Sequence, residues 1–365
     1  MTLFNNKKKS LNYKETLFFI AKSLTISIEE KNRDEIEFVL KTSDVDWELV
    51  VKISTAHYVL PAIYCNYKRS NFLKYLPSDL INYMKHITNL NRDRNKQILE
   101  QSKDLNNELL KNGVRPIFLK GTGNLLAGLY DDIGERMVGD IDFLFSEKDF
   151  FKAIKIIKND KYLKSEEQLE NFPGFRHYSR LHKPKNIAAV EIHKDVTIEK
   201  YRDEFNFKII SEDAQLINDF LVMSYENKLS LSIISNQIND YAFELGIFSL
   251  RPAYDVYLLS KKTNTQKVIS NFNKLMTPLN CFVANCNFIF GDLESLKHFE
   301  TKDSKNYLKK FKFSLNRKKS NPKIDIMLFA INLKRRLVIF CKSMFNSENR
   351  KWLFQRIKRK IRIKN

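Results

Sequence analysis

Apolar residues recur at helical spacing through the first hundred positions, and then the period changes. Leu17, Phe18, Ile20, Ala21 and Leu24 fall on one helical face. The run "DVDWELVVKISTAHYVLPAIYCNYKRS" opens on acids, which suit a helix N-terminus, and carries Pro61 where it must divide or kink the helix. A long helix of mixed polar and apolar residues is expected from Leu80 to Leu110, stopped by Asn112-Gly113. "VRPIFLKG" then predicts a strand.

From there strands and helices alternate. "GTGNLLAGLY" reads as a glycine-rich turn entering a short helix, "DDIGER" as a loop and "MVGDIDFLF" as a strand. Ser146 with Asp149 three residues on is a capping box, and Phe150, Ala153, Ile154 and Ile157 mark the helix it starts. "KYLKS" and "GFRHYSRLH" predict strands, and "KPKN" a turn into the strand "IAAVEIHKDV". Beyond Lys200 the pattern predicts helices again, through "LINDFLVMSYENKLSLSIISNQI" and "LRPAYDVYLLSKK". The expected fold class is α+β. A helical region covers 1–112, a small mixed core 113–200, a second helical region 201–300 and a basic helical tail 301–365.

Charge changes the picture at one end only. The 365 residues carry a net +20, yet residues 301–365 hold 21 Lys/Arg against 3 acids, and the first 300 hold 42 against 40. Inferences about partners from charge therefore concern the tail. In "RKWLFQRIKRKIRIKN" eight basic residues occur without an acid. On a helix Leu353, Phe354, Ile357 and Ile361 form an apolar stripe with cationic flanks, which predicts reversible docking of residues 350–365 on an anionic membrane. Packing of the tail on the body is the competing reading. Nucleic acid is the weaker partner, because the aromatics cluster at one end and build no stacking platform.

Four irregularly spaced cysteines predict reduced thiols without zinc, and no run of eighteen apolar residues occurs. The opening "MTLFNNKKKSLNYKETLFFIAKSL" has a short, lysine-flanked apolar stretch and no small-residue cleavage site, so no secretory signal is expected. The expected location is cytoplasmic, with the tail at the inner face of the membrane.

The candidate chemistry lies in "GDIDFLF". Asp140 and Asp142 alternate with Ile141 and Phe143, so both carboxylates leave one face of the strand and repel. Upstream, Lys120-Gly121 ends a strand before a glycine-rich turn and a helix N-terminus, an arrangement that binds anions. Thr122 adds a hydroxyl donor. An anion cradle beside two carboxylates is chemically consistent when a divalent cation joins them, so Mg²⁺, or Mn²⁺ in its place, arriving with a nucleotide is the expected cofactor. Arg136 could clamp the triphosphate or form a local salt bridge among Asp131, Asp132 and Glu135, and Lys120 could reach phosphate or snorkel. P-loop, G-x-S-x-G, H-E-x-x-H and kinase motifs are absent.

The stretch "FLKGTGNLLAGLYDDIGERMVGDIDFLFSEKDFFKAI", followed by "VEIHKDV", resembles the uncharacterised bacterial nucleotidyltransferases of the DNA polymerase β-like superfamily, over Phe118 to Val196. The resemblance implies a polymerase β-like core. It also implies Mg²⁺-dependent transfer of NMP from an NTP, ATP among them, to an acceptor hydroxyl on a small molecule, sugar or protein, with polysaccharide biosynthesis one setting. By position, Gly121 and Thr122 would hold the triphosphate, helped by Lys120 and Arg136, and Asp140 and Asp142 would bind metal. Glu191 would be the third carboxylate, as metal ligand or as base, with Asp195 the alternative if the strand register shifts. His193 shares the face of Glu191 and would orient it, touch substrate or be structural; His177 and His182 read as structural. The chain departs from the family pattern at Thr122, usually Gly or Ser, and at Glu191, usually Asp. A nucleotide-binding module that docks through its tail without turnover is the alternative function.

Overall fold

In the computed structural model, which describes residues 10–164, 175–315 and 322–362, five helices precede the first strand. They are α1 (Tyr13–Ser23), α2 (Glu30–Thr42), α3 (Trp47–Ala56), α4 (Leu60–Arg69) and α5 (Ser78–Lys111). Pro61 divides the helical text as expected. It sits in the first turn of α4, where a missing N–H costs no helical bond, and Tyr58 turns the chain before it at φ +57°. α5 stops where expected, with Gly113 just beyond it at φ +69°.

A mixed seven-stranded sheet follows, interleaved with short helices. Its elements are β1 (Ile117–Phe118), α6 (Lys120–Leu126), β2 (Asp140–Leu144), α7 (Glu147–Asn159), β3 (Leu163–Lys164), β4 (Leu181–His182), β5 (Ala189–His193), α8 (Phe207–Glu212), β6 (Gln215–Ile217) and β7 (Phe220–Val222). The spatial order is β3-β4-β5-β2-β1-β7-β6. β2 with β5 and β1 with β7 run parallel; the other pairs are antiparallel. In the β2–β5 pair Asp142 lies opposite Glu191 and Leu144 opposite His193. The stretch expected as strand around His177 contributes only Leu181–His182 and a single bridge from His177 to His193. Gly174 and Ser165, the ends of two expected strands, lie outside the described residues.

One expectation is overturned. "LINDFLV" is not helical: it forms the β6–β7 hairpin, which carries the sheet past Lys200. Asn218 and Asp219 sit at φ +46° and +69°, the left-handed backbone of a two-residue hairpin turn that Asn and Asp tolerate. The helix begins only after Ser224, whose side chain accepts from the Asn227 N–H to cap α9 (Tyr225–Ile234). Next come α10 (Ala242–Leu245), α11 (Leu250–Ser260), α12 (Thr265–Ser270), α13 (Met276–Phe290) and α14 (Lys302–Ser314), then α15 (Pro322–Phe345) and α16 (Ser347–Arg362). An apolar core runs from Leu17 through Phe118, Phe143 and Ile192 to Leu315, and none of the described side chains of α15 or α16 belongs to it. Cys65, Cys281 and Cys286 are buried free thiols and Cys341 is an exposed one. Among the described residues no helix is long and apolar enough to cross a membrane.

The loop between α6 and β2 is held from both helical regions. From α5, Asn91 Nδ2 donates to the Gly134 and Arg136 carbonyls (2.7 and 3.1 Å), and Asn95 Nδ2 to those of Ile133 and Arg136 (2.6 and 2.7 Å). Arg92 forks onto Asp132 at 2.9 and 2.7 Å. Glu135 is buried between Arg69 of α4 and the Tyr254 hydroxyl of α11, which donates at 2.7 Å. Arg136 donates through Nε to both Asp255 oxygens at 3.0 Å and approaches Asp255 through Nη2 at 2.9 Å; the Tyr130 hydroxyl adds a 2.7 Å bond to the same carboxylate. The polar residues of the long helix thus satisfy loop carbonyls that would otherwise be buried without partners.

Two stability outcomes follow from this packing. Asp255→Ala strands the buried Arg136 and Tyr130 and should destabilise the fold by about 3–5 kcal/mol, read as a shift in the urea midpoint. Loss of well under 1 kcal/mol would show that the pair does not anchor the loop. Gly123→Ala places a Cβ 2.6 Å from the Phe118 carbonyl oxygen and should cost about 1–3 kcal/mol. Gly139→Ala meets nothing within 4 Å and should stay within about 0.5 kcal/mol. Equal effects at the two glycines would contradict the close approach of α6 to β1.

Candidate active site

The strand alternation that buries Ile141, Phe143, Val190 and Ile192 turns Asp140, Asp142, Glu191 and His193 to the opposite face. Because β2 and β5 are parallel and in register at Asp142–Glu191, the two carboxylates sit side by side rather than staggered. Both are buried, at 5% and 7% exposure, and His193 beside them is 2% exposed. Ligand atoms of Asp142, Glu191 and His193 all lie within 4.8 Å of one another. Two carboxylate oxygens and an imidazole nitrogen that converge so closely form a donor set that fits a divalent cation.

Basic groups now compensate the acids. Lys120 Nζ lies 2.6 Å from Asp142 Oδ1 and 3.5 Å from Glu191 Oε2. Its backbone is at φ +49°, a region that a lysine rarely occupies and that recurs at functional sites. Arg180 bridges Glu191 Oε1 at 2.7 Å and Asp140 Oδ2 at 3.0 Å. His193 Nε2 donates to Asp142 Oδ1 at 2.9 Å, while its buried Nδ1 has no hydrogen-bond partner among the described residues. Burial pushes the Glu191 carboxyl up, but the His193 hydrogen bond and the Lys120 charge outweigh it and hold the pKa well below the carboxylate range. Burial also raises Asp140, helped by its acidic neighbours and opposed by Arg180. For Lys120 burial works against the charge, but Asp142 and Glu191 prevail and raise its pKa.

The structure brings together Asp140, Asp142, Glu191 and Lys120 and leaves the other expected residues engaged elsewhere. Thr122 is fully buried, its hydroxyl donating to the Asp140 carbonyl at 2.8 Å, so it fastens α6 to β2. Gly121 is a packing residue: a Cβ there would meet Val138 at 2.9 Å. Arg136 is directed at Asp255 of α11, its guanidinium on that carboxylate rather than on Asp131, Asp132 or Glu135. Asp195 pairs with Arg202 at 3.0 Å, and the observed register puts Glu191, not Asp195, opposite Asp142. His177 bonds the Tyr178 carbonyl through Nδ1, with its ring 5.0 Å from that of His193. His182 is exposed at the end of β4.

Sequence reasoning missed Arg180. It lies in a non-strand segment just before β4 and reaches Glu191, eleven positions along the chain, only because β4 doubles back antiparallel on β5. The signal available was the basic residue in "HYSRLH" on the strand expected to flank the acids.

Comparison with known proteins gives one family. No protein of curated function matches. A crystal structure of JHP933 from Helicobacter pylori aligns at 14% identity over 65% of this chain and 97% of that one, with a TM-score of 0.27, a likeness too slight to bear on fold or activity. The family described as "uncharacterised nucleotidyltransferase" matches residues 43–289, which takes in the sheet, the site and helices on both sides of it. The chain belongs to that nucleotidyltransferase family.

Proposed function

We propose that the protein passes the nucleoside monophosphate of an NTP to an acceptor hydroxyl and releases pyrophosphate, on a polymerase β-like core. The observation that carries this reading is the β2–β5 register, which sets Asp142 opposite Glu191 with Asp140 two positions earlier on the same face. Membership of a nucleotidyltransferase family supports it. Asp140, Asp142 and Glu191 would hold Mg²⁺, or Mn²⁺ in its place, with His193 fixing Asp142 and Glu191 or adding a ligand. Bound there, the metal supplies charge neutralisation for the triphosphate and a lowered pKa for the acceptor hydroxyl. Lys120 and Arg180, which now neutralise the acids, are the cations best placed to turn to phosphate oxygens, Lys120 as a point charge and Arg180 as a fork of donors. The acceptor is a small molecule, a sugar or a protein side chain, with polysaccharide biosynthesis one setting, and ATP is the first donor to try.

A second reading, a nucleotide-binding module without turnover, is favoured by one specific feature. Lys120 and Arg180 already pair with all three acids, so most of the carboxylate charge is compensated without metal.

The deciding assay is pyrophosphate release by the full chain with each NTP, with Mg²⁺ or Mn²⁺ and with chelator, in the presence of acceptor pools and of the protein itself as acceptor. Metal-dependent release is expected. Asp142→Asn and Glu191→Gln should lower it on the order of 10²–10³-fold with far-UV dichroism unchanged. His193→Asn should cost about 10–100-fold, the usual scale for a residue that orients ligands. Undiminished release in Asp142→Asn would sink the catalytic assignment. Saturable NTP binding with no release under any condition would establish the second reading.

A further inference from the structure

Helix α15 turns its apolar stripe outward. Ile326, Phe329, Leu333, Leu337, Phe340 and Met344 recur at three- and four-residue steps, which keeps them on one helical face. They are 66%, 66%, 45%, 55%, 56% and 60% exposed. Lys334 and Arg336 fall about 80° to either side of this stripe at ~100° per residue. Side chains at such spacing usually face a core, and here none of them joins it. α15 is also fastened to the rest of the protein: Lys342 pairs with Glu199 at 2.6 Å, and α16, which packs back along it, buries Trp352 at 6% exposure.

We infer that the α15–α16 hairpin is a docking element for an anionic lipid surface, with α15 lying in the plane of the interface. Charge complementarity selects this occupant. Residues 322–362 carry 12 Lys/Arg and 2 acids, so two copies brought face to face would repel, whereas anionic headgroups attract both flanks of the stripe. A polyanion such as nucleic acid would satisfy the cations but leave the apolar stripe in water. A bilayer meets both at once: headgroup phosphates take the flanks and acyl chains take the stripe. The charged triplet Lys334-Arg335-Arg336 in mid-helix rules out crossing and is compatible with lying flat. The apolar face therefore belongs mainly to α15. The tail stripe expected further on supplies Phe354 and Ile357, 61% and 47% exposed, while the side chain of Ile361 lies outside those described. None of these residues belongs to the carboxylate site, so this inference stands apart from the catalytic reading.

The test is co-sedimentation of the full chain with vesicles of phosphatidylcholine alone and of phosphatidylcholine with phosphatidylglycerol in equal parts, at low and high salt. At low salt the anionic vesicles should retain at least tenfold more protein, and high salt should release it. Phe329→Ser with Phe340→Ser, and separately Lys334→Glu with Arg336→Glu, should each reduce retention at least tenfold, with thermal midpoint and NTP binding unchanged. Retention that ignores lipid charge, or survives both double variants, overturns the inference. So does size-exclusion evidence of a dimer that the Phe329→Ser/Phe340→Ser variant dissolves, or a gel shift of nucleic acid in place of vesicle binding.

Discussion

Two buried carboxylates on adjacent parallel strands are the constraint around which the site is arranged. Strands pair at about 4.8 Å, and unit charges at that distance repel by on the order of 3 kcal/mol at an effective dielectric near 20. Asp142 and Glu191 therefore cannot stand together without compensation, and the fold supplies two cations and an imidazole hydrogen bond from three directions. Lys120 comes from the β1–α6 junction at a strained backbone angle, Arg180 from the segment before β4, and His193 from β5 itself. His193 is positioned by the sheet itself, but Lys120 and Arg180 lie outside its strands. A backbone held at φ +49° persists only where its surroundings enforce it, and here Thr122 and the Leu119 N–H, which donates to the Asp142 carbonyl at 3.0 Å, fix the chain on either side.

The same logic extends outward to the helices. β2 enters the site directly from the loop whose carbonyls α5 holds and whose charges are met by Arg69, Arg92 and Asp255. Arg69 and Arg92 precede the sheet in the chain and Asp255 follows it, so the two helical regions position the acids together through one loop. The apolar core passes through all three parts without a break. The buried asparagines of α5, which would weaken an isolated helix, are explained by this contact: they bond backbone carbonyls of the loop instead of competing for those of their own helix.

What could be read from the sequence divides along physical lines. The strand alternation gave the common face of Asp140 and Asp142, and the same rule placed Glu191 and His193 together, because period-two patterning depends only on local backbone geometry. The cap at Ser146 and the stop at Gly113 were legible for the same reason. The β6–β7 hairpin is not legible from periodicity because "LINDFLV" is too short to separate helical from strand spacing; its Asn218-Asp219 pair is the discriminating signal. Arg136, Thr122 and Gly121 show a different limit. Arg136 and Thr122 have donors for phosphate, but where those donors point depends on Asp255 and on the Asp140 carbonyl, and the glycine at 121 is set by the close approach of Val138, contacts that no local pattern encodes. Arg180 is the converse, a site residue whose relevance appears only once β4 is paired with β5.

The tail shows how much a charge count can say and where geometry must take over. Its excess of Lys/Arg over a nearly neutral body marks it as the part that meets an anionic partner, but the count cannot distinguish a solvated arm from a packed one. The hairpin is partly packed, and the choice of what packs is informative. Trp352, with the Arg356 guanidinium 5.1 Å from its ring, is buried, as are Ser343 and Asn349, while ten large apolar side chains of α15, six of them on the one stripe, are left in water. A helix stabilised only by the body would bury its apolar face and expose Ser343 and Asn349. The reverse arrangement leaves a continuous apolar surface outside the core formed by the described residues, flanked by cations that would resist a second copy. A surface that is both apolar and anionic meets those two conditions together, and a lipid headgroup layer over acyl chains is such a surface.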